Sequence, residues 1–145
     1  MFKTMLIAVD MSHPEQLPIL MEAAIRIVDE NEPAQVHLLY VDDSQIHQAS
    51  FPQLNESSSS RRKEIKVKLQ QMADTLMAGS EHITTECHIR KGSVHEQILE
   101  ESKLLKVDMV LMMASRPGLA SYFVGSNAER VVRHAQCSVL ILRND

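Results

Sequence analysis

The chain has 145 residues, a formal net charge of −4 and 44% hydrophobic residues, but only 3% aromatic residues. This length fits a single domain, residues 1–145, with an aliphatic and methionine-rich core that needs no disulfide or metal to fold. The composition gives no basic surface for nucleic acid, no apolar run long enough to span a membrane and no cysteine framework, so we expect a cytoplasmic protein.

The first quarter of the chain predicts a strand, a helix and a second strand. Met5–Val9 is a continuous apolar run, which is typical of a strand covered on both faces. Ser12 followed by Glu15 has the spacing of a capping box and predicts the start of a helix that ends before Pro33. Val36–Val41 is the second apolar strand.

The next segment is polar and then helical. Residues 42–60 are predicted to form an irregular loop that caps the following helix. Apolar side chains at helical spacing from Ile65 to Leu76 indicate that helix, which should end near Gly79. The basic cluster Arg61–Lys63 lies at its predicted start and is interpreted as a solvated face.

Ile83–Arg90 alternates between apolar and polar residues, which predicts a half-exposed strand at an edge of the sheet. This alternation sends Cys87 and His88 to opposite faces. It therefore argues against a metal site made of His82, Cys87 and His88, and we predict no metal ligands there.

The last third predicts two more helices and two more strands. Two serines are each followed three residues later by glutamate, which predicts capping boxes at Ser93 with Glu96 and at Ser126 with Glu129. The strands are Val107–Met113 and Ser138–Leu142. The last helix should turn inward the side chains Ala128, Val131, Val132 and Ala135.

Strict alternation of strands and helices places the chain in the α/β class. It predicts an open parallel sheet with right-handed crossover helices on both faces. In such sheets, ligands bind beyond the carboxyl ends of the strands where the winding reverses, so the turns after the first, second and fourth strands are the candidate site.

Asp10 follows the first strand, and Val41 and Asp42 end the second. A carboxylate at Asp10 could bond a ribose hydroxyl or an adenine amine, or it could instead cap the following helix. Asp10 and Asp42 could also supply oxygen ligands to Mg²⁺.

Gly125–Asn127 begins the last helix, whose first amides and positive dipole end favour an anion. Gly125 would let a ligand approach the backbone, and Arg116 in the preceding loop could pair with a phosphate. The alternative is that Ser126 only caps the helix together with Glu129.

Several segments resemble the universal stress protein family over essentially the whole length. They are Ile7–Ser12, Lys91–Ser93, Ala114–Gly118, Val124–Ala135 and Cys137–Arg143. The resemblance implies a five-stranded parallel sheet in the order 3-2-1-4-5, similar to the adenine nucleotide alpha hydrolases. It also implies a homodimer, which often pairs through the last strand, here Ser138–Leu142.

One branch of that family binds ATP or related adenine nucleotides. The resemblance assigns the adenine and ribose to Ala8, Val9 and Asp10 and the adenine edge to the backbone of Val41. It assigns the phosphates to Gly125, Ser126 and Asn127.

The chain departs from the Gly-x2-Gly-x9-Gly-Ser/Thr motif of the nucleotide-binding branch. Counting back from Gly125 puts Met112 and Ser115 at the first two glycines, and a one-residue shortening puts Met113 and Arg116 there. These side chains could block ATP, or Arg116 could replace backbone amides with a charged contact. Ser115-Arg116-Pro117 is similar to a subgroup that retains nucleotide binding.

We therefore expect a stress protein that binds ATP, ADP or AMP, with Mg²⁺ if ATP is bound, and acts by occupancy rather than by catalysis. Slow incidental ATP hydrolysis is compatible with this expectation. The alternative is a dimeric interaction module that binds no nucleotide.

Overall fold

The computed structural model describes residues 1–44, 55–114 and 124–143. Its five strands form one parallel sheet in the order β3-β2-β1-β4-β5, as the family resemblance implied. The strands are β1 (Thr4–Val9), β2 (Ala34–Asp42), β3 (Ile83–Lys91), β4 (Met109–Met113) and β5 (Ser138–Leu142). The alternating strand at Ile83–Arg90 lies at one edge of the sheet, as predicted.

A helix follows each of the first four strands. They are α1 (Leu17–Ile27), α2 (Asn55–Leu76), α3 (Val94–Leu104) and α4 (Ser126–His134). The loop predicted over residues 42–60 is wrong at its end, because residues 55–60 already belong to α2. Serine is only modestly unfavourable in a helix, so the run of serines at residues 57–60 can lie in a helix. It has no apolar periodicity from which that helix could be predicted. Residues 45–54 lie outside the described residues.

None of the three predicted capping boxes forms. A short 3-10 turn at Pro14–Gln16 precedes α1 and begins after His13, so Ser12 is not a cap. Ser93 is the N-cap of α3, but its hydroxyl lies 3.1 Å from Nδ1 of His95 instead of capping an amide. At α4 the N-cap is Gly125, and Ser126 is already the first helical residue.

Two apolar clusters cover the two faces of the sheet. Met5 and Ile7 of β1 pack on the face that carries α1 and α2, whereas Leu6 between them packs on the other face. All three side chains are fully buried, which explains why the strand is apolar without alternation. Within the described ranges, no helix is long and apolar enough to cross a bilayer.

The second cluster fixes α4 against the sheet. Ala128 and Val131 are buried there, as predicted, and Ala135 packs against them. Val132 was predicted to face inward, but it is 53% exposed. Of the four apolar residues predicted to face inward, only Ala128, Val131 and Ala135 therefore contact the core.

Cys87 of β3 is buried on the opposite face, among the residues that pack with α1 and α2. Burial, followed by the nearby Asp74 carboxylate, raises the pKa of its thiol to about 11. The thiol therefore stays protonated at neutral pH and behaves as a small core side chain.

Candidate functional site

A cavity of about 450 Å³ opens beyond the carboxyl ends of β1, β2 and β4. This volume lies within the range of about 300–1,000 Å³ that is usual for small-molecule sites. The amino end of α4 forms part of its wall, so the first turn and the last helix face one space. This is the crevice at which the winding of the sheet reverses, because β1 lies between β2 and β4.

Eight of the nine predicted binding residues line this cavity. They are Ala8, Val9, Asp10, Val41, Met113, Gly125, Ser126 and Asn127. The ninth, Arg116, lies outside the described residues. The sheet brings together residues that are more than a hundred positions apart because parallel strands end at the same edge.

Asp10 organises the turn after β1. Its carboxylate oxygen Oδ1 accepts a hydrogen bond from the Ser12 amide at 2.9 Å, and its carbonyl accepts one from the His13 amide at 3.0 Å. The carboxylate thus closes a turn and lines the cavity, rather than capping α1. Ser12, which also lines the cavity, contributes a hydroxyl that the sequence had assigned to helix capping.

The amino end of α4 is anchored to the sheet through its preceding residues. The Gly125 amide donates to the carbonyl of Ala114, and the Ala114 amide donates to the carbonyl of Leu142 at 2.7 Å. The Gly125 carbonyl accepts the first helical hydrogen bond, from Glu129 at 3.0 Å. None of the described side chains caps this end, and the first amides of a helix have no partner within it, so they suit an anion.

The acid that follows β2 at the cavity is Asp43 rather than Asp42. The buried Asp42 carboxylate accepts hydrogen bonds from the Ser44 amide at 3.0 Å and from Arg62 Nη1 at 3.4 Å. Burial alone would raise the pKa of Asp42, but the hydrogen bonds from Ser44 and the Arg62 guanidinium hold it below its usual value. Asp42 is therefore a structural residue. The prediction that Arg62 belongs to a solvated face is wrong, because its side chain is largely buried against Asp42.

Sequence reasoning missed Tyr40 and Asp43, which also line the cavity. Burial, followed by the Asp42 carboxylate, raises the pKa of Tyr40, so its hydroxyl is a hydrogen-bond donor at neutral pH. Their position at the end of β2, which the sequence had already assigned to the candidate site, could have identified them. Among the described residues that line the cavity, Asp10 and Asp43 bring negative charge and none is lysine or arginine.

The rest of the wall is apolar except for the buried Gln16. Its apolar residues, in addition to the predicted ones, are Leu39, Val94, Ile98, Met112, Ala114 and Ala128. Met112 and Met113, the two methionines considered at the first motif glycine, both contribute to the lining. The cavity thus combines apolar side chains with polar groups at Asp10 and at the start of α4.

A model of the universal stress protein family matches residues 1–143. The chain belongs to this family. It is 29% identical over 149 aligned residues to universal stress protein G of Salmonella typhimurium, with 99% of the chain and 100% of that protein covered. This family membership confirms the resemblance seen in the sequence.

Solved universal stress proteins share the fold. UspA from Lactobacillus plantarum aligns with a TM-score of 0.76 and 25% identity, over 98% of both chains. A universal stress protein family member from Arabidopsis thaliana, solved with AMP bound, aligns with a TM-score of 0.68 and 20% identity, over 99% of this chain and 92% of that one. The five-stranded sheet in the order 3-2-1-4-5 is therefore the fold of the family, which is that of the adenine nucleotide alpha hydrolases.

Proposed function

We propose that the chain binds an adenine nucleotide, namely ATP, ADP or AMP, in the cavity beyond β1 and β4. The observation that carries this proposal is that a cavity of about 450 Å³ is lined both by Asp10 and by the uncapped start of α4 at Ser126. A carboxylate at one wall and the first amides of a helix at another suit a ligand with hydroxyl groups and an anionic end. The AMP-bound relative from Arabidopsis thaliana supports the same ligand class.

The proposed ligand would lie with its base against the apolar wall. Ala8, Val9 and the backbone of Val41 would contact the adenine, and Asp10 would accept a hydrogen bond from a ribose hydroxyl. The amides of Gly125, Ser126 and Asn127 would hold the phosphates. Arg116 is proposed as an additional phosphate contact.

Charge decides which phosphate state this cavity favours. Asp10 and Asp43 are acidic, and no lysine or arginine among the described residues lines the cavity. A bare triphosphate would therefore be repelled, whereas Mg²⁺ would offset its charge and could take Asp10 or Asp43 as an oxygen ligand. We expect AMP and Mg²⁺-ATP to bind better than ATP alone.

The proposed mode of action is occupancy of the site in the cytoplasm, with any hydrolysis slow and incidental. Phosphoryl transfer needs cationic groups around the γ-phosphate and a positioned water. The described wall of the cavity supplies carboxylates and hydroxyls instead. Binding energy would thus be used to hold the nucleotide and not to reach a transition state.

We further propose a homodimer through β5. This strand lies at the edge of the sheet, and its apolar side chains Val139, Leu140, Ile141 and Leu142 are only partly buried. An edge strand with apolar side chains is suited to pairing with a second copy. Nucleotide occupancy could be reported to partners through this dimer.

The alternative function is a dimeric interaction module that binds no nucleotide. Met112 and Met113 favour it, because both line the cavity near the position where the nucleotide-binding branch has a glycine. In this alternative, the methionine side chains fill space that the ribose and phosphates would need. The two functions make opposite predictions for ligand titration.

Isothermal titration of nucleotide-free protein with AMP, and with ATP in the presence and absence of Mg²⁺, tests the proposal. Asp10→Ala should weaken binding, and Asp29→Ala is its matched control. Both carboxylates accept a hydrogen bond from the amide two residues later, at 2.9 Å, but only Asp10 lines the cavity. No heat at millimolar nucleotide, or equal weakening by the two variants, would contradict nucleotide binding in this cavity.

A further inference from the structure

A second cluster of polar side chains lies on the face of the sheet that carries α3. His37 comes from β2, Glu86 and His88 come from β3, and Glu101 comes from α3. The register pairs His37 with Glu86 and Leu39 with His88. Because alternate residues of a strand share a face, the three strand residues point to the same side.

The donor atoms of this cluster are close together. His37 Nδ1 lies 2.9 Å from His88 Nε2 and 3.8 Å from Glu86 Oε2. One ligand atom from each of the three residues lies within 4.8 Å of the others. Nitrogen ligands at about 2.0–2.1 Å from a tetrahedral ion are about 3.3–3.4 Å apart, so the two rings need to separate by only about half an ångström.

We propose that His37, His88 and Glu86 form a binding site for a divalent transition-metal ion of the zinc type. Two imidazoles and a carboxylate are ligands that Zn²⁺ prefers, whereas Mg²⁺ and Ca²⁺ prefer oxygen alone. The His37 side chain is 6% exposed and the Glu86 side chain 67% exposed, so the site has a fixed floor and an open side. A water molecule or an exogenous ligand would take the fourth position from that open side.

Glu101 gives the site its outer support. Its carboxylate Oε1 lies 3.6 Å from His88 Nδ1, and its Oε2 accepts a hydrogen bond from Arg90 Nη1 at 2.6 Å. With Nδ1 facing this carboxylate, Nε2 of His88 is the ring nitrogen that faces His37 and the proposed metal position. Glu101 is 5% exposed and is thus held in place by burial and by Arg90.

The charge of the surroundings also favours a cation. The carboxylates of Glu86, Glu100 and Glu101 outnumber the guanidinium of Arg90, which pairs with the last two. A divalent ion would neutralise this local excess. None of these residues lines the nucleotide cavity, so the metal site is separate from the proposed function.

A hydrogen bond between His37 Nδ1 and His88 Nε2 would satisfy the two facing ring nitrogens without a metal. In that account Glu86 is only an exposed surface residue, and its loss has no consequence for metal affinity. The two accounts therefore differ most clearly at Glu86, where a substitution leaves the buried packing unchanged.

The test uses the full chain, with Zn²⁺ alone in calorimetry and Co²⁺ alone in visible absorption spectroscopy. One ion should bind per chain, with the intense visible bands of tetrahedral Co²⁺ and no thiolate-to-metal charge-transfer band. Glu86→Gln and His88→Gln should each lower the affinity by about tenfold or more. Glu100→Gln and His134→Gln should leave it unchanged.

The controls make the same chemical changes as the test variants. Glu100 is 62% exposed and pairs with Arg90, so Glu100→Gln removes the same unit of charge without removing a proposed ligand. Absence of Zn²⁺ binding would overturn the proposal. So would equal affinity of wild type and Glu86→Gln, or a thiolate band that places the ion on a cysteine. Circular dichroism of Glu86→Gln checks that its fold is intact.

Discussion

Adjacent valines of α4 provide a sharp test of how this helix packs. Val131 is fully buried, whereas Val132 is 53% exposed. Val131→Ala removes two methyl-sized groups from the core, which costs about 1.6 kcal/mol at 0.8 kcal/mol per group, and the residual cavity adds to this. Alanine returns about 0.5 kcal/mol of helix propensity. We therefore expect a net loss of about 1–3 kcal/mol in the free energy of unfolding.

Val132→Ala is the matched control because it makes the same chemical change one position later. It should remain within about 0.5 kcal/mol of wild type, since it buries little and gains helix propensity. Urea denaturation followed by circular dichroism, at one protein concentration for all three proteins, measures both values. Equal losses for the two variants would refute the orientation of α4, and with it the aim of the helix start at the cavity.

Three other predictions concern the site and its supports. Gly125→Val should place a branched side chain at the start of α4 and lower nucleotide affinity about tenfold or more, which is at least about 1.4 kcal/mol. Valine is a poorer N-cap than glycine, so the melting temperature should fall slightly while the fold survives. Unchanged affinity in titration would contradict this prediction. Asp42→Asn should cost about 1–2 kcal/mol at pH 7 by weakening the contact with Arg62. The lowered pKa of Asp42 stabilises the folded state fully above the pKa of the unfolded carboxyl, and this contribution is lost as the pH falls through the lower pKa of the folded state. The difference from wild type should therefore shrink below about pH 4, and a constant difference in acid denaturation would contradict this prediction. Cys87, which is buried and has a pKa of about 11, should be alkylated more slowly in the native protein than the partly exposed Cys137. Mass spectrometry of the modified peptides measures the two rates, and the reverse order would mean that β3 opens readily.

The sheet could be predicted from sequence because its signal is strong and local. Continuous apolar runs such as Met5–Val9 occur where a strand is covered on both faces, and the structure buries consecutive side chains of β1 on opposite sides. The cavity followed from the same pattern, since the ends of parallel strands meet at one edge. That step brought Asp10 and Ser126 together without any knowledge of distances.

Helix starts and exposed faces were less predictable. Capping boxes depend on the backbone angle of one residue, and at Ser126 the helix begins one position too early for the hydroxyl to cap it. Val132 sits within an apolar pair, but only one member of that pair can face the sheet. The first residue of the helix and the face that it buries depend on how the helix packs against the sheet, and the local sequence does not determine this packing.

The cluster at His37 was missed for a different reason. His37 and His88 belong to different strands, and only the register of β2 against β3 brings them together. The alternation of β3 did place Glu86 and His88 on one face, so these two residues could be predicted to lie together. That His37 joins them could not be predicted without the pairing of β2 with β3.

A crystal structure of the protein saturated with AMP tests the nucleotide proposal most directly. We predict density for the adenine against Ala8 and Val41, and for the phosphate at the amides of Ser126 and Asn127. An empty cavity with the Met112 and Met113 side chains filling it at saturating AMP, or a nucleotide bound elsewhere, would contradict the proposal and leave the dimeric interaction module as the function to pursue.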